Sequence, residues 1–153
     1  MMFFVVGDFV TQIIERFQAM LKEGTLVSPS SNLIGYKFVT VEFGDVVVEL
    51  EINEHHAGLF GLVHGGIICT IADAAMGFAH VSTLNEGEMG VTMESKINFF
   101  KAPSKGKLRA KGKIVQRSRK TSYVECEVLN DEDELIAKSN STIRTITNSK
   151  PEM

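Results

Sequence analysis

The sequence predicts an α+β protein in which a single antiparallel sheet curls around one long buried helix. Three observations carry that prediction. Residues 65–84 are apolar around most of a helical circumference, through Ile67, Ile68, Cys69, Ile71, Ala72, Ala74, Ala75, Met76, Phe78, Ala79 and Val81. A helix of that kind is enclosed by other elements. The segments on either side alternate with period two. Val48, Leu50 and Ile52 stand against Glu49 and Glu51, and Leu108, Ala110, Gly112 and Ile114 against four basic residues. Half-buried antiparallel strands alternate in this way. The connections are short, which also favours antiparallel pairing. One sheet can cover such a helix only by wrapping it, and the apolar surface left over calls for another copy of the chain.

The elements follow in order. Asp8 is placed to cap a first helix over about 9–23, with Phe9, Ile13, Phe17, Met20 and Leu21 near one face and Gly24 as its stop. Residues 28–32, Ser-Pro-Ser-Ser-Asn, read as a polar loop. Strands are expected over 33–43 and 46–53, with Gly44-Asp45 as the turn between them. The long helix over about 65–84 comes next, then strands over 89–101, 107–115, 123–129 and 135–147, with an acidic turn at 130–134. The tail, residues 150–153, is expected to fray. The whole chain is read as one domain, its sheet-and-helix core spanning about 33–147.

Composition narrows the function. With 153 residues, 44% hydrophobic and 23% charged, the chain has the make-up of one globular domain. The opening Met1–Val6 stretch is apolar but short, lacks a basic lead and is interrupted by Asp8. Neither a signal peptide nor a membrane span is expected. Cys69 and Cys126 lie far apart and outside any CxxC pattern, as free thiols in a reducing compartment would, so a cytoplasmic location is expected. A net charge of −3 argues against a general nucleic-acid binder. Yet segment 101–120 holds nine Lys and Arg residues and no acid, which suits a small phosphorylated ligand.

Asp73 is the strongest candidate for chemistry. Between Gly65 and Asn85 it is the one formally charged side chain, on a stripe of Gly66, Thr70, Asp73, Gly77 and His80. A solvated helix face carries long charged residues, whereas small residues mark the close approach of another backbone. A carboxylate there must be paired or employed. His64-Gly65-Gly66 opens the same helix, where unpaired N–H groups and the positive end of the dipole can hold an anion or polarise a carbonyl. His55 and His56 have no second ligand at metal-binding spacing, and no GxSxG motif accompanies a serine, so neither a metal, another cofactor nor a Ser-His-Asp triad is expected.

The run Gly61-Leu62-Val63-His64-Gly65-Gly66, followed by Thr70-Ile71-Ala72-Asp73-Ala74-Ala75-Met76-Gly77, resembles the signature of the PaaI-type hotdog-fold acyl-CoA thioesterases. Gly90-Val91-Thr92, the stretch from Ile97 to Pro103, Gly106-Lys107-Leu108 and Leu135-Ile136-Ala137-Lys138 are similar to that family's later strands. The likeness covers roughly 33–146. It implies a hotdog fold, with the first helix as an addition, paired into a dimer or a dimer of dimers with sites at the interface.

The resemblance also implies roles for residues. The Gly65 N–H polarises the thioester carbonyl. Asp73 of the opposite subunit is nucleophile or general base, Thr92 orients it, and His64 shapes the turn and contacts the thioester. Arg117, Arg119 and Lys120 meet the phosphates of CoA; Gly66, which lets a substrate approach the backbone, and His56, a candidate substitute from the preceding loop, are also expected at the substrate. For Lys107, Arg109, Lys111 and Lys113 a solvated strand face is the simpler reading. Two departures stand out. Gly58 lies where many relatives carry an Asn six residues before the histidine, with Asn53, His55 or His56 as candidate substitutes, and Ser118 lies where a Gly is common. The rival readings are a hotdog dehydratase or hydratase, which would want a histidine in the catalytic place, and a non-catalytic acyl-CoA-binding module. Such modules usually add a DNA-binding segment, for which the first helix is too little. No membrane or nucleic-acid partner is expected.

Overall fold

The computed structural model describes residues 6–147, with side chains from residue 13 onward. The chain runs through α1 (Val6–Glu23), α2 (Pro29–Ile34), β1 (Lys37–Glu42), β2 (Asp45–Glu51), a 3₁₀ turn (Glu54–His56), α3 (Gly65–Val81), β3 (Glu88–Phe99), β4 (Lys107–Arg117), β5 (Thr121–Leu129) and β6 (Leu135–Thr147). Among the described residues six strands join one antiparallel sheet in the order β1-β2-β4-β5-β6-β3. The expected α+β class holds: α3 lies on the inner face of the sheet and touches every strand.

The core is built from the alternation seen in the sequence. Val46, Val48 and Leu50 of β2, Leu108 and Ala110 of β4, and Val124, Cys126 and Val128 of β5 all point inward and are buried. They meet Ile68, Ile71, Ala72, Ala75, Met76 and Ala79 of α3, also buried. The closest approach is at Gly112, where an added Cβ would lie 2.5 Å from the backbone carbon of Ala75. Only a residue without a side chain lets the sheet come this near the helix.

The outward residues pair by charge across the strands. Lys107 Nζ lies 3.1 Å from Glu49, Lys138 Nζ 3.4 Å from Glu127 and Lys113 Nζ 3.9 Å from Asp45, and Arg109 pairs with Asp133. Lys111 stands opposite Glu127 in the β4–β5 register. The basic strip of β4 is therefore a solvated strand face flanked by acids.

Several boundaries differ from expectation. Helix α1 begins at Val6, so Asp8 lies inside it rather than at its cap. The side chains of Asp8 and Phe9, and the tail at 150–153, fall outside the described residues. Residues 29–34 form α2 instead of a loop. Ser28 caps it, accepting the Ser31 N–H at 3.1 Å while Ser31 Oγ accepts the Ser28 N–H at 2.7 Å, and Pro29 occupies the first turn. Gly35, at φ +90°, ends the helix and delays the strand to Lys37. Helix α3 stops at Val81, because the Ser82 and Thr83 hydroxyls donate to the Ala79 and His80 carbonyls, both at 2.7 Å.

The two edges of the sheet are unlike. Helix α1 lies against β1, where Gln18 Nε2 donates to the Val41 carbonyl at 3.2 Å. Phe17 of α1 also packs on Phe78 of α3, which in turn packs on Phe38 of β1. Among the described residues strand β3 has a neighbour on one side only, and Met89, Val91, Met93 and Phe99 along it are exposed. No helix among the described residues is long and apolar enough to cross a membrane.

Candidate active site

Two backbone hydrogen bonds fix where α3 begins. The Val63 N–H donates to the Pro103 carbonyl at 2.9 Å and the His64 N–H to the His56 carbonyl at 2.8 Å. His64 is the cap, its ring folded back so that Nδ1 accepts the Gly66 N–H at 2.9 Å. A Cβ on Gly66 would sit 3.0 Å from that nitrogen, so the glycine is what admits the ring. With Nδ1 accepting, the proton of a neutral His64 ring is on Nε2, and the residue is exposed. The Gly65 N–H makes no hydrogen bond among the described residues. Its free donor and the positive end of the helix dipole suit a carbonyl oxygen. The ring of Phe99 closes one side, 3.3 Å from where a Gly65 Cβ would be.

Asp73 lies two turns further along. Thr92 on β3 donates to its Oδ1 at 3.0 Å, and both residues are exposed. A bulge between Thr92 and Glu94 breaks the β3–β6 register at this point. Bulges of this kind re-aim a side chain, here the Thr92 hydroxyl at the carboxylate. Asp73 Oδ2 has no partner among the described residues. Thr70 donates to the Gly66 carbonyl, and no described residue comes within 4 Å of a Cβ on Gly77, so this part of the stripe is open. Half-buried Cys69 lies one turn from Asp73, its thiol pushed up by burial and further by the Asp73 charge. Eight residues of one helix separate Gly65 from Asp73, about 12 Å at 1.5 Å per residue.

The structure keeps some expected residues out of this groove. His80, on the same stripe, is fully buried, its Nδ1 2.8 Å from Ser122 Oγ and its Nε2 3.2 Å from Thr145 Oγ1. His56, expected at the substrate, is a structural residue instead. It is 3% exposed, its Nδ1 accepts the Asn53 N–H at 3.1 Å and its Nε2–H donates to the Ile34 carbonyl at 2.7 Å. Asn53 is likewise occupied, accepting the His55 N–H at 2.9 Å, while His55 is exposed beside Glu54. None of the three fills the place beside Gly58, whose Cβ would have ordinary contacts with Leu62 O and His64 Cδ2.

The basic cluster divides as well. A bulge between Ile114 and Gln116 turns Arg117 to the inner face, in register with buried Ser122, while Arg119 and Lys120 stay exposed in the β4–β5 turn. The row Arg117, Ser122, Ile143, Thr92 runs straight across the sheet. It sets Arg117 about 14 Å from Thr92, at ~4.8 Å per strand. Phe99 and Cys69 were not singled out as site residues from sequence. Among the described residues, no group of three or more His, Cys, Asp or Glu is gathered as a metal would need.

One antiparallel sheet wrapped on a long helix is the hotdog fold, and the family match makes the chain a thioester hydrolase. The chain belongs to the thioesterase superfamily, whose model matches residues 60–137. A Saccharolobus solfataricus protein named as a candidate esterase is 34% identical over 103 residues, covering 67% of this chain and 73% of its own. The 1,4-dihydroxy-2-naphthoyl-CoA hydrolase of Listeria monocytogenes is 26% identical over 110 residues, covering 72% and 89%. The E. coli PaaI protein, from the phenylacetic acid degradation operon, shares the fold with a TM-score of 0.77 at 19% identity, covering 90% of this chain and 96% of that one.

Proposed function

We propose that the protein is a cytoplasmic acyl-CoA hydrolase acting as a homo-oligomer, with each site shared between two protomers and the chain working as one catalytic domain. The Thr92–Asp73 hydrogen bond carries the reading: it holds a carboxylate in an open groove with one oxygen left free. The roughly 12 Å between Gly65 and Asp73 favours sharing, because a single thioester carbonyl cannot touch both within one protomer. The open, apolar edge of β3 offers the place for a second copy. The Listeria relative hydrolyses a CoA thioester, and free Cys69 and Cys126 suit a reducing compartment.

In this mechanism Gly65 N–H of one protomer donates to the thioester carbonyl oxygen, with His64 Nε2–H as a second donor. Asp73 of the other protomer either attacks the carbonyl carbon or takes a proton from the water that does. The carbonyl π electrons move to oxygen, where the donors hold the developing charge. Collapse re-forms the carbonyl, breaks the C–S bond and releases the CoA thiolate, which takes up a proton. Direct attack leaves an anhydride on Asp73 that water then opens; water attack gives the acid at once. The exposed Arg119 and Lys120 suit the CoA phosphates, whereas inward Arg117 serves that role less well.

Asp73→Asn keeps shape and loses the charge. A fall in kcat of about 10²–10⁴-fold is expected, with KM for acyl-CoA nearly unchanged. Thr92→Ala should cost less, on the order of 1 kcal/mol, since it removes an orienting hydrogen bond alone. A folded Asp73→Asn protein that hydrolyses acyl-CoA at the wild-type rate sinks both mechanism and assignment.

A further inference from the structure

The loop that delivers His64 to the head of α3 is a tight hairpin with an unusual tip. Ala57 bridges Val63, the Gly58 N–H donates to Leu62 O at 2.8 Å, and the Gly61 N–H to Gly58 O at 3.1 Å. Gly61, at φ +74°, turns the chain. This neck presents Leu59 and Phe60 to solvent, 99% and 91% exposed. Two large apolar side chains held this far out on a braced turn mark a binding surface. The neck also touches the site, since a Cβ on Gly58 would be 3.8 Å from His64 Cδ2. At 3.8 Å per residue the tip begins within about 8 Å of the His64 ring. Phe99, half exposed, stands beside the Gly65 donor.

We propose that Leu59 and Phe60, with Phe99, form the wall that receives the acyl group, and that the enzyme selects bulky apolar acyl chains, aromatic or alkyl, over acetyl. This rests on the shared-site reading above. In a site made of one protomer's Gly65 and the other's Asp73, the two flanks differ in chemistry. The Gly65 protomer brings the apolar tip. The Asp73 protomer brings the Arg119–Lys120 turn, which lies beside Thr145 of β6, two strand spacings from its β3. An acyl-CoA has the same polarity, with anionic phosphates at one end and an apolar acyl group at the other. Matching charge to charge sends the nucleotide toward the basic turn and the acyl group toward Leu59 and Phe60.

The test is a kcat/KM series over acetyl-, hexanoyl-, decanoyl- and benzoyl-CoA, with light scattering on every protein. The wild type should prefer the larger acyl groups. The double variant Leu59→Ser/Phe60→Ser should lose about tenfold or more on them, in the range that apolar pocket contacts command. Its loss should shrink steadily toward acetyl. Leu33→Ser, which alters an apolar residue 85% exposed on α2, should keep the wild-type profile. An equal fractional loss on all four substrates overturns the proposal, as does a wild type indifferent to acyl size. If the double variant changes oligomeric state, the tip is a contact between copies and the proposal falls. A monomeric, active wild type or an active Asp73→Asn sinks the shared-site reading itself, an outcome distinct from these.

Discussion

His80 shows how a single side chain can look functional in sequence and be structural in the fold. It shares a helical stripe with Asp73, yet the sheet buries it and both ring nitrogens find hydroxyl partners. Gly90 makes the space, for a Cβ there would be 2.6 Å from His80 Cδ2. Burial, and next the Arg117 charge, push the imidazole down from its ordinary 6.5 to about 4, with Glu88 opposing weakly. A base whose folded value is depressed stays neutral in the native state while the unfolded chain takes up the proton. Its contribution is fully present above pH 6.5 and is lost as pH falls from 6.5 through 4. The loss is on the order of 3 kcal/mol for a shift of this size. Urea unfolding at a series of pH values should show the midpoint dropping across that window. In His80→Asn most of that slope should vanish; equal slopes in the two proteins would show that other groups set it.

At the scale of elements, the contact of α3 with β4 is the tightest joint. Gly112→Ala drives a methyl group into the backbone of Ala75 and Met76, neither of which can yield as a side-chain tip would. The cost should be about 1–3 kcal/mol or more, seen as a lower Tm with the sheet otherwise intact; an unchanged Tm would mean that helix and sheet can part freely. Periodicity made most elements legible: α3 and the alternating strands β2, β4 and β5 follow from spacing alone. The Ser28-Pro29 pair carried the signal for α2, but a six-residue helix has too little periodicity to stand out among polar residues. The bulges at Thr92 and Ile114 leave no local trace, because each depends on the register of a strand distant in sequence. For that reason Asp73 and Gly65 could be read as a pair, while the inward turn of Arg117 and the place of Phe99 beside Gly65 could not.

For the whole molecule, the shared site predicts that activity and assembly go together. Light scattering at micromolar concentration should give a dimer or a dimer of dimers, and dilution into monomer should abolish turnover. Two copies of β3 meeting edge to edge would also cover Met89, Val91 and Met93, now exposed. A fully active monomer at the lowest assay concentration would separate the two and leave the distance from Gly65 to Asp73 unexplained.

The unlike edges of the sheet have a consequence for growth. A strand edge is a template, and a sheet with two bare edges can add copies without limit, as fibrils do. Here α1 lies against β1 and Gln18 takes up the Val41 carbonyl, so part of that edge is covered. The bare β3 makes each copy monovalent toward strand addition. Once two such edges join, neither has a second one to offer, and strand-by-strand polymerisation ends at the first step. In the proposed assembly helix α1 would thus act as the chain terminator of a reaction that β3 starts.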